Sequence, residues 1–192
     1  MRRVYNSRMK RLIRVGVDFD GVVAYNPLRI VRPIIAFVKK RILGIRKLDF
    51  FYPTKSWQQF LWILIHESSI FPALGTKLLK NMVKEKKIEA HLITARYSFL
   101  DDHLKLWLKK NKLEKFFKSV NMNVNNEQPH IFKEKMLIKY KLEYFIEDNW
   151  DIVNYLNKKS KTRIYWIYNI FDRWVDYRHK FPFLKSALEA VK

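Results

Sequence analysis

Two aspartates separated by one residue, Asp18-Phe19-Asp20, close a short apolar run, and Gly21 follows at once. In an extended turn, residues two apart lie on one side of the chain, so both carboxylates can face a single phosphorus atom. One then attacks it, and the other handles the proton of the leaving group. Gly21 permits a sharp exit from the preceding strand. Further along, Thr94 follows a strand-like stretch over 89–93, and Glu147-Asp148 follows another over 143–146. Four carboxylates gathered at one edge would repel, and burying them unpaired is costly. A hard divalent cation relieves the repulsion, and all-oxygen ligands point to Mg²⁺. Each piece has a plainer reading too. Asp-x-Asp-Gly makes a turn, Thr94 caps a helix, and Glu147-Asp148 caps the helix beginning near Asn149. What argues for chemistry is their order and their common placement at strand ends.

The elements that must position these residues are legible as alternating patterns. Residues 12–17 predict a first strand, 89–93 a second, 117–124 a third, 143–146 a fourth and 163–168 a last. Between them, 72–87, a stretch through Leu104, Trp107 and Leu108, 132–141 and 150–158 predict helices. Ser98 and Asp101 give the second of these a capping-box-like start. Strands alternating with helices imply an α/β fold, a doubly wound parallel sheet covered on both faces. Ligands in such sheets sit beyond the carboxyl ends of the strands, where the acids and Thr94 fall. Residues 26–72 follow another pattern. Ile30, Ile34, Phe37, Val38 and Ile42 form one helical stripe that Gly44 ends, and Trp57, Phe60, Leu61, Leu64 and Ile65 form a second, broken by Pro72. The expected organisation is a core of 12–25 and 73–192, a helical insertion over 26–72, and a basic arm over 1–11.

Val15-Gly16-Val17-Asp18-Phe19-Asp20-Gly21-Val22-Val23, then Leu92-Ile93-Thr94-Ala95-Arg96, then a lysine, then Phe145-Ile146-Glu147-Asp148-Asn149 resemble, in order, the motifs of the haloacid dehalogenase (HAD) superfamily of phosphotransferases. The resemblance spans roughly 12–170. It implies the HAD-like Rossmannoid sheet with a small helical cap inserted after the first strand, and a magnesium-dependent phosphatase. It implies Asp18 as nucleophile, Asp20 as general acid and base, and Thr94 as a donor to phosphate oxygen. Asp148 would hold Mg²⁺ with Asp18, Glu147 would stand beside it, and the Asp20 main-chain carbonyl would be a further ligand. The motif lysine is Lys133 or Lys135, with the family spacing suited best by Lys133. The Thr-Ala-Arg run, the Glu-Asp-Asn ending and the short cap look most like the 5′-nucleotidase-like branch. On that reading Ala95, Arg96 and Lys135 lie toward the substrate, with Arg96 against its phosphate, and the substrate is a nucleoside monophosphate.

Composition bounds the remaining possibilities. The absence of cysteine excludes disulfides, thiol catalysis and iron–sulfur clusters, and favours a cytoplasmic protein. None of the five histidines pairs with another at ligand spacing. No apolar run approaches the ~18 residues of a membrane span. The net charge of +21 attracts polyanions or anionic membranes. Between Leu28 and Leu48 stand Arg29, Arg32, Lys39, Lys40, Arg41, Arg46 and Lys47, with no acid. That stretch is read first as a cap closing over a small phosphorylated substrate. The alternatives are a surface meeting nucleic acid or an anionic membrane, or a HAD-fold protein that binds without turnover. Trp57, Phe60 and Trp62 would stack on a base, or simply pack the cap.

Overall fold

The structure, a computed structural model, describes residues 11–27 and 48–192. The basic arm, the first apolar stripe of the insertion and its run of seven basic residues therefore lie outside the described residues, apart from Arg11 and Leu48.

Six strands form one sheet, all paired in parallel: β1 (Ile13–Val17), β2 (Ile88–Tyr97), β3 (Ser119–Asn123), β4 (Tyr144–Glu147), β5 (Arg163–Ile167) and β6 (Lys180–Phe181). Their spatial order is β3-β2-β1-β4-β5-β6, so β1 lies centrally between β2 and β4. The helices are α1 (Ser56–Glu67), α2 (Thr76–Lys84), α3 (Asp101–Lys110), α4 (Pro129–Lys139), α5 (Trp150–Lys159) and α6 (Leu184–Glu189).

Side chains alternate across the sheet with the period of two that a pleated strand imposes. Val15, Val17, Ala90, Leu92, Tyr144, Ile146, Tyr165 and Ile167 face one core cluster, which α2, α3 and α6 complete through Leu79, Leu104, Leu108, Leu184 and Leu188. Ile93, Phe145, Ile164 and Trp166 face the opposite cluster, closed by Phe132 and Leu137 of α4 and by Ile152, Val153 and Leu156 of α5. Both sheet faces are thus covered, as parallel sheets require. His91 is a packing residue here: it is buried, bonded to Ser119 and Glu89, and stacked on Tyr140.

Three sequence expectations are corrected. The strand at 163–168 is not the last, because β6 follows it and pairs with β5. Two residues are too few to show an alternation. β2 does not stop near Ile93 but continues through Thr94 to Tyr97, with a register shift against β3 between Thr94 and Tyr97. Ser98 opens no capping box: it begins a 3₁₀ turn, α3 starts after Leu100 without a side-chain cap, and the Ser98 hydroxyl accepts from Asn126.

The chain leaves and re-enters the core at one place. Tyr25 N donates to the Phe71 carbonyl and Ala73 N to the Val23 carbonyl, both at 2.8 Å, so the two ends of the 26–72 excursion run side by side. Within the described part of that excursion, α1 buries none of its twelve residues, and Trp57 and Phe60 are each 60% exposed. No helix among the described residues is long and apolar enough to cross a membrane.

Candidate active site

β1 carries Asp18 to the carboxyl edge of the sheet, and its amide donates to the Ile146 carbonyl of β4 at 2.9 Å. That bond sets Asp18 beside Glu147, which ends β4, and Asp148, which follows it. The turn after Asp18 is fixed by main-chain bonds: Val23 N and Ala24 N donate to the Phe19 carbonyl at 3.0 and 2.9 Å, and Gly21 N donates to the Ala24 carbonyl at 2.8 Å. On the other side β2 brings Thr94 to the same edge, 1% exposed, with its Oγ1 accepting from the Arg96 amide at 3.3 Å. The register shift after Thr94 is the kind of irregularity that re-aims side chains beside active sites.

Lys133 of α4 is 2% exposed and lies between two acids, its Nζ 3.1 Å from Asp18 Oδ1 and 2.5 Å from Glu147 Oε2. Lys135 points the other way: it is exposed and pairs with Glu127. Glu147 has its second oxygen occupied as well, accepting from the Asn149 amide at 3.0 Å. Asp148 is held through its carbonyl, which accepts from Trp166 Nε1 at 3.2 Å.

The electrostatics divide the two aspartates of the first motif. Burial pushes the Asp18 carboxyl well above the usual range. Glu147, Asp148 and Asp20 push the same way, and Lys133 opposes them in part. Burial pushes Asp20 up too, but the Arg96 guanidinium and its hydrogen bonds, helped by His66 and Ser69, overcome this and hold it well below the usual range. Burial works against the Lys133 ammonium, yet Asp18 and Glu147 more than offset it, and its pKa is raised.

Asp18, Glu147 and Asp148 each offer a carboxylate oxygen within 4.8 Å of the others. Lys133 sits on two of these acids, so one ammonium stands against three carboxylates. This hard, all-oxygen donor set fits Mg²⁺. The Asp20 carboxylate is outside the cluster, gripped by Arg96 and Ser69. What remains for a metal from Asp20 is its main-chain carbonyl, the atom the resemblance implies.

Gly21 is what lets Asp148 stand there. Its φ is +81°, and a Cβ on it would lie 2.1 Å from Asp148 Oδ2. Gly21→Ala is expected to cost about 1–3 kcal/mol through backbone strain and to weaken Mg²⁺ binding at least about tenfold by displacing that carboxylate. Thermal melts with and without Mg²⁺ check this. A variant whose melting point responded to Mg²⁺ no less than that of the wild type would show that Asp148 does not need its present position.

The structure thus brings Asp18, Thr94, Lys133, Glu147 and Asp148 together at one sheet edge and leaves Lys135 on the surface. Ala95 is half-buried in β2 beyond Thr94. Arg96 lies on Asp20, with Nε 2.8 Å from Oδ2 and Nη2 2.7 Å from Oδ1. Sequence reasoning missed Ser69, which is 2% exposed and donates to Asp20 Oδ1 at 2.7 Å. The only signal for it was a polar pair, Ser68-Ser69, between the second apolar stripe and Pro72.

Comparison with known structures bears on the fold. The chain has the fold of the HAD hydrolases. Similar solved structures include the HAD hydrolase YfnB of Bacillus subtilis, solved bound to magnesium (TM-score 0.60, 11% identity, covering 94% of this chain and 98% of that one). A haloacid dehalogenase-like hydrolase of Xanthomonas campestris is also similar (0.54, 11%, covering 93% and 94%). So is a HAD-superfamily hydrolase of subfamily IA from Geobacter sulfurreducens (0.52, 11%, covering 94% and 100%). No family model and no curated protein matches the sequence. In each of these HAD structures the likeness is one of fold, and the chemistry must be argued from this chain's own residues.

Proposed function

We propose that this protein is a magnesium-dependent phosphatase that hydrolyses phosphate monoesters through an aspartyl-phosphate on Asp18, with 26–72 as its cap. The observation that carries the reading is the position of Asp18. It directly follows the central strand β1, 3.1 Å from the buried Lys133 ammonium, inside a cluster of acids suited to a hard cation.

An Asp18 oxygen attacks phosphorus in line, and the ester P–O bond breaks as the Asp18 O–P bond forms. Asp20, which Arg96 holds ionised, takes the proton of the monoanionic ester and passes it to the leaving oxygen. In the second half Asp20 takes a proton from water, the water oxygen attacks phosphorus, and the bond to Asp18 breaks to release inorganic phosphate. Thr94 donates its hydroxyl proton to a phosphoryl oxygen, since the bond from the Arg96 amide uses only the oxygen's lone pair. Lys133 offsets the charge that Asp18 shares with the phosphoryl group. Mg²⁺, held by Asp18, Asp148 and the Asp20 carbonyl, would neutralise phosphoryl oxygens throughout. Glu147 acts through Lys133 and the Asn149 amide, which occupy both its oxygens.

The leading substrate is a nucleoside monophosphate, and exposed Trp57 and Phe60 on α1 offer faces for a base. A polyanionic ester is the second reading, favoured by the net charge of +21. A panel of monophosphates assayed with Mg²⁺ and after chelation tests both. Turnover of at least one monoester is expected, falling at least about 10²-fold on chelation. Undiminished rates without divalent metal, or no turnover of any ester, would refute the reading. Rates that collapse with moderate salt would move the substrate to the polyanionic class.

A further inference from the structure

The groups that hold Asp20 also hold the returning end of the insertion. Ser69 Oγ and Arg96 Nη2 both donate to Asp20 Oδ1 at 2.7 Å, and Arg96 Nε donates to Oδ2 at 2.8 Å. The same Nη2 donates to the His66 carbonyl at the end of α1, 3.0 Å away. The guanidinium lies over the Phe19 ring, 4.5 Å from its centroid. Phe19 meets Trp107 edge-on at 4.8 Å, and Trp107 Nε1 donates to the Ile70 carbonyl at 3.1 Å. The orientation of the Asp20 carboxylate and the placement of residues 66–71 therefore depend on one set of contacts.

We propose that Arg96 and Ser69 are positioning residues that aim the Asp20 carboxylate and couple its aim to the returning end of the insertion. A forked guanidinium fixes the plane of a carboxylate, which a point charge does not do. Ser69 fixes the same oxygen from the insertion side, so movement of either part disturbs the other. By thermodynamic reciprocity, loss of the Asp20 carboxylate must loosen 66–71 as much as movement of 66–71 disturbs Asp20. The role in turnover rests on the phosphatase reading; the coupling does not.

The kinetic test compares wild type, Arg96→Lys, Ser69→Ala and Ser69→Thr on a simple alkyl phosphate and on p-nitrophenyl phosphate. The alkoxide needs a delivered proton, and nitrophenolate leaves without one. Arg96→Lys is expected to lower kcat on the alkyl ester by about 10²-fold and on the aryl ester by less than about tenfold, with KM within about twofold. Ser69→Ala should act in the same direction, more weakly, and Ser69→Thr should restore the rate. Equal losses on both esters, or a raised KM with kcat kept, would overturn the assignment and make Arg96 a fold element or a phosphate ligand. Hydrogen exchange tests the coupling without turnover. In Asp20→Ala, or in Asp20→Asn where the alanine variant melts, the amides of 66–73 should exchange at least about tenfold faster while those of β4 and β5 keep their protection. Unchanged exchange there would overturn the coupling. A wild type inert on every ester with Mg²⁺ would defeat the phosphatase reading, and the exchange result would then decide the coupling alone.

Discussion

Asp18→Asn is expected to lower turnover by at least about 10³-fold and to leave the fold intact. An amide cannot form the aspartyl-phosphate at a useful rate, and no other carboxylate directly follows the central strand. Stability should move the opposite way from most core substitutions. In the protein without divalent metal, burial and the charges of Glu147, Asp148 and Asp20 raise Asp18 above its unfolded pKa. A carboxyl raised in this way binds its proton more tightly folded than unfolded, so its contribution to stability is present below the unfolded pKa. That contribution is lost as pH rises through the folded value. At neutral pH the metal-free wild type bears this cost, and Asp18→Asn, which cannot ionise, does not. Thermal melts in chelator at pH 7 should therefore find the variant at least as stable as the wild type. Added Mg²⁺ should stabilise the wild type and have much less effect on the variant. A folded variant that retained a substantial fraction of wild-type turnover would remove Asp18 from the chemistry.

Much of this site was legible because it sits where a regular pattern stops. β1 and β4 are short apolar runs that end abruptly in acids, so Asp18, Asp20, Glu147 and Asp148 declared themselves by position. In a parallel sheet strand ends converge, which is why residues 18, 94 and 148 could be joined without any contact information. The lysine was harder. Lys133 and Lys135 are two apart on α4, which places them about 200° apart around a helix, so only one can face the sheet. Phe132 and Leu137 are buried with Lys133, and that settles which face is inward.

Arg96 and Ser69 were not legible as partners of Asp20. The pair Leu92-Ile93 gives way to Thr94 and, two residues on, Arg96, so β2 read as a strand ending at Ile93. Its continuation to Tyr97 depends on pairing with β3 across a register shift, which leaves no periodic trace in the sequence. Ser69 reaches Asp20 only because the insertion closes on itself through the pairing of 23–25 with 71–73, a contact nearly fifty residues apart in the chain. The strand β6 left no signal because two residues have no period.

Lys133→Met should be the most destabilising single change at the site. It removes the ammonium that faces Asp18 and Glu147 and leaves both carboxylates buried among acids. Breaking a buried pair by deleting one partner typically costs about 3–5 kcal/mol, since the surviving charge keeps its desolvation cost without its attraction. Turnover should fall at least about 10²-fold, because the phosphoryl charge on Asp18 loses its neighbour. The two effects can be separated. In Lys133→Met/Glu147→Gln the stranded Glu147 charge is gone, so stability should recover by more than about 1 kcal/mol relative to the single variant. Activity should stay low, because neither substitution restores a cation beside Asp18. Lys135→Met supplies the contrast: it breaks an exposed pair with Glu127 and should change stability by less than about 1 kcal/mol, with turnover kept. Denaturant unfolding of the three variants alongside the phosphatase assay distinguishes the cases. If Lys135→Met abolished turnover while Lys133→Met stayed active, the assignment of the motif lysine would reverse. If the double variant recovered activity along with stability, Lys133 would be holding the acids in place and contributing nothing to the chemistry on phosphorus.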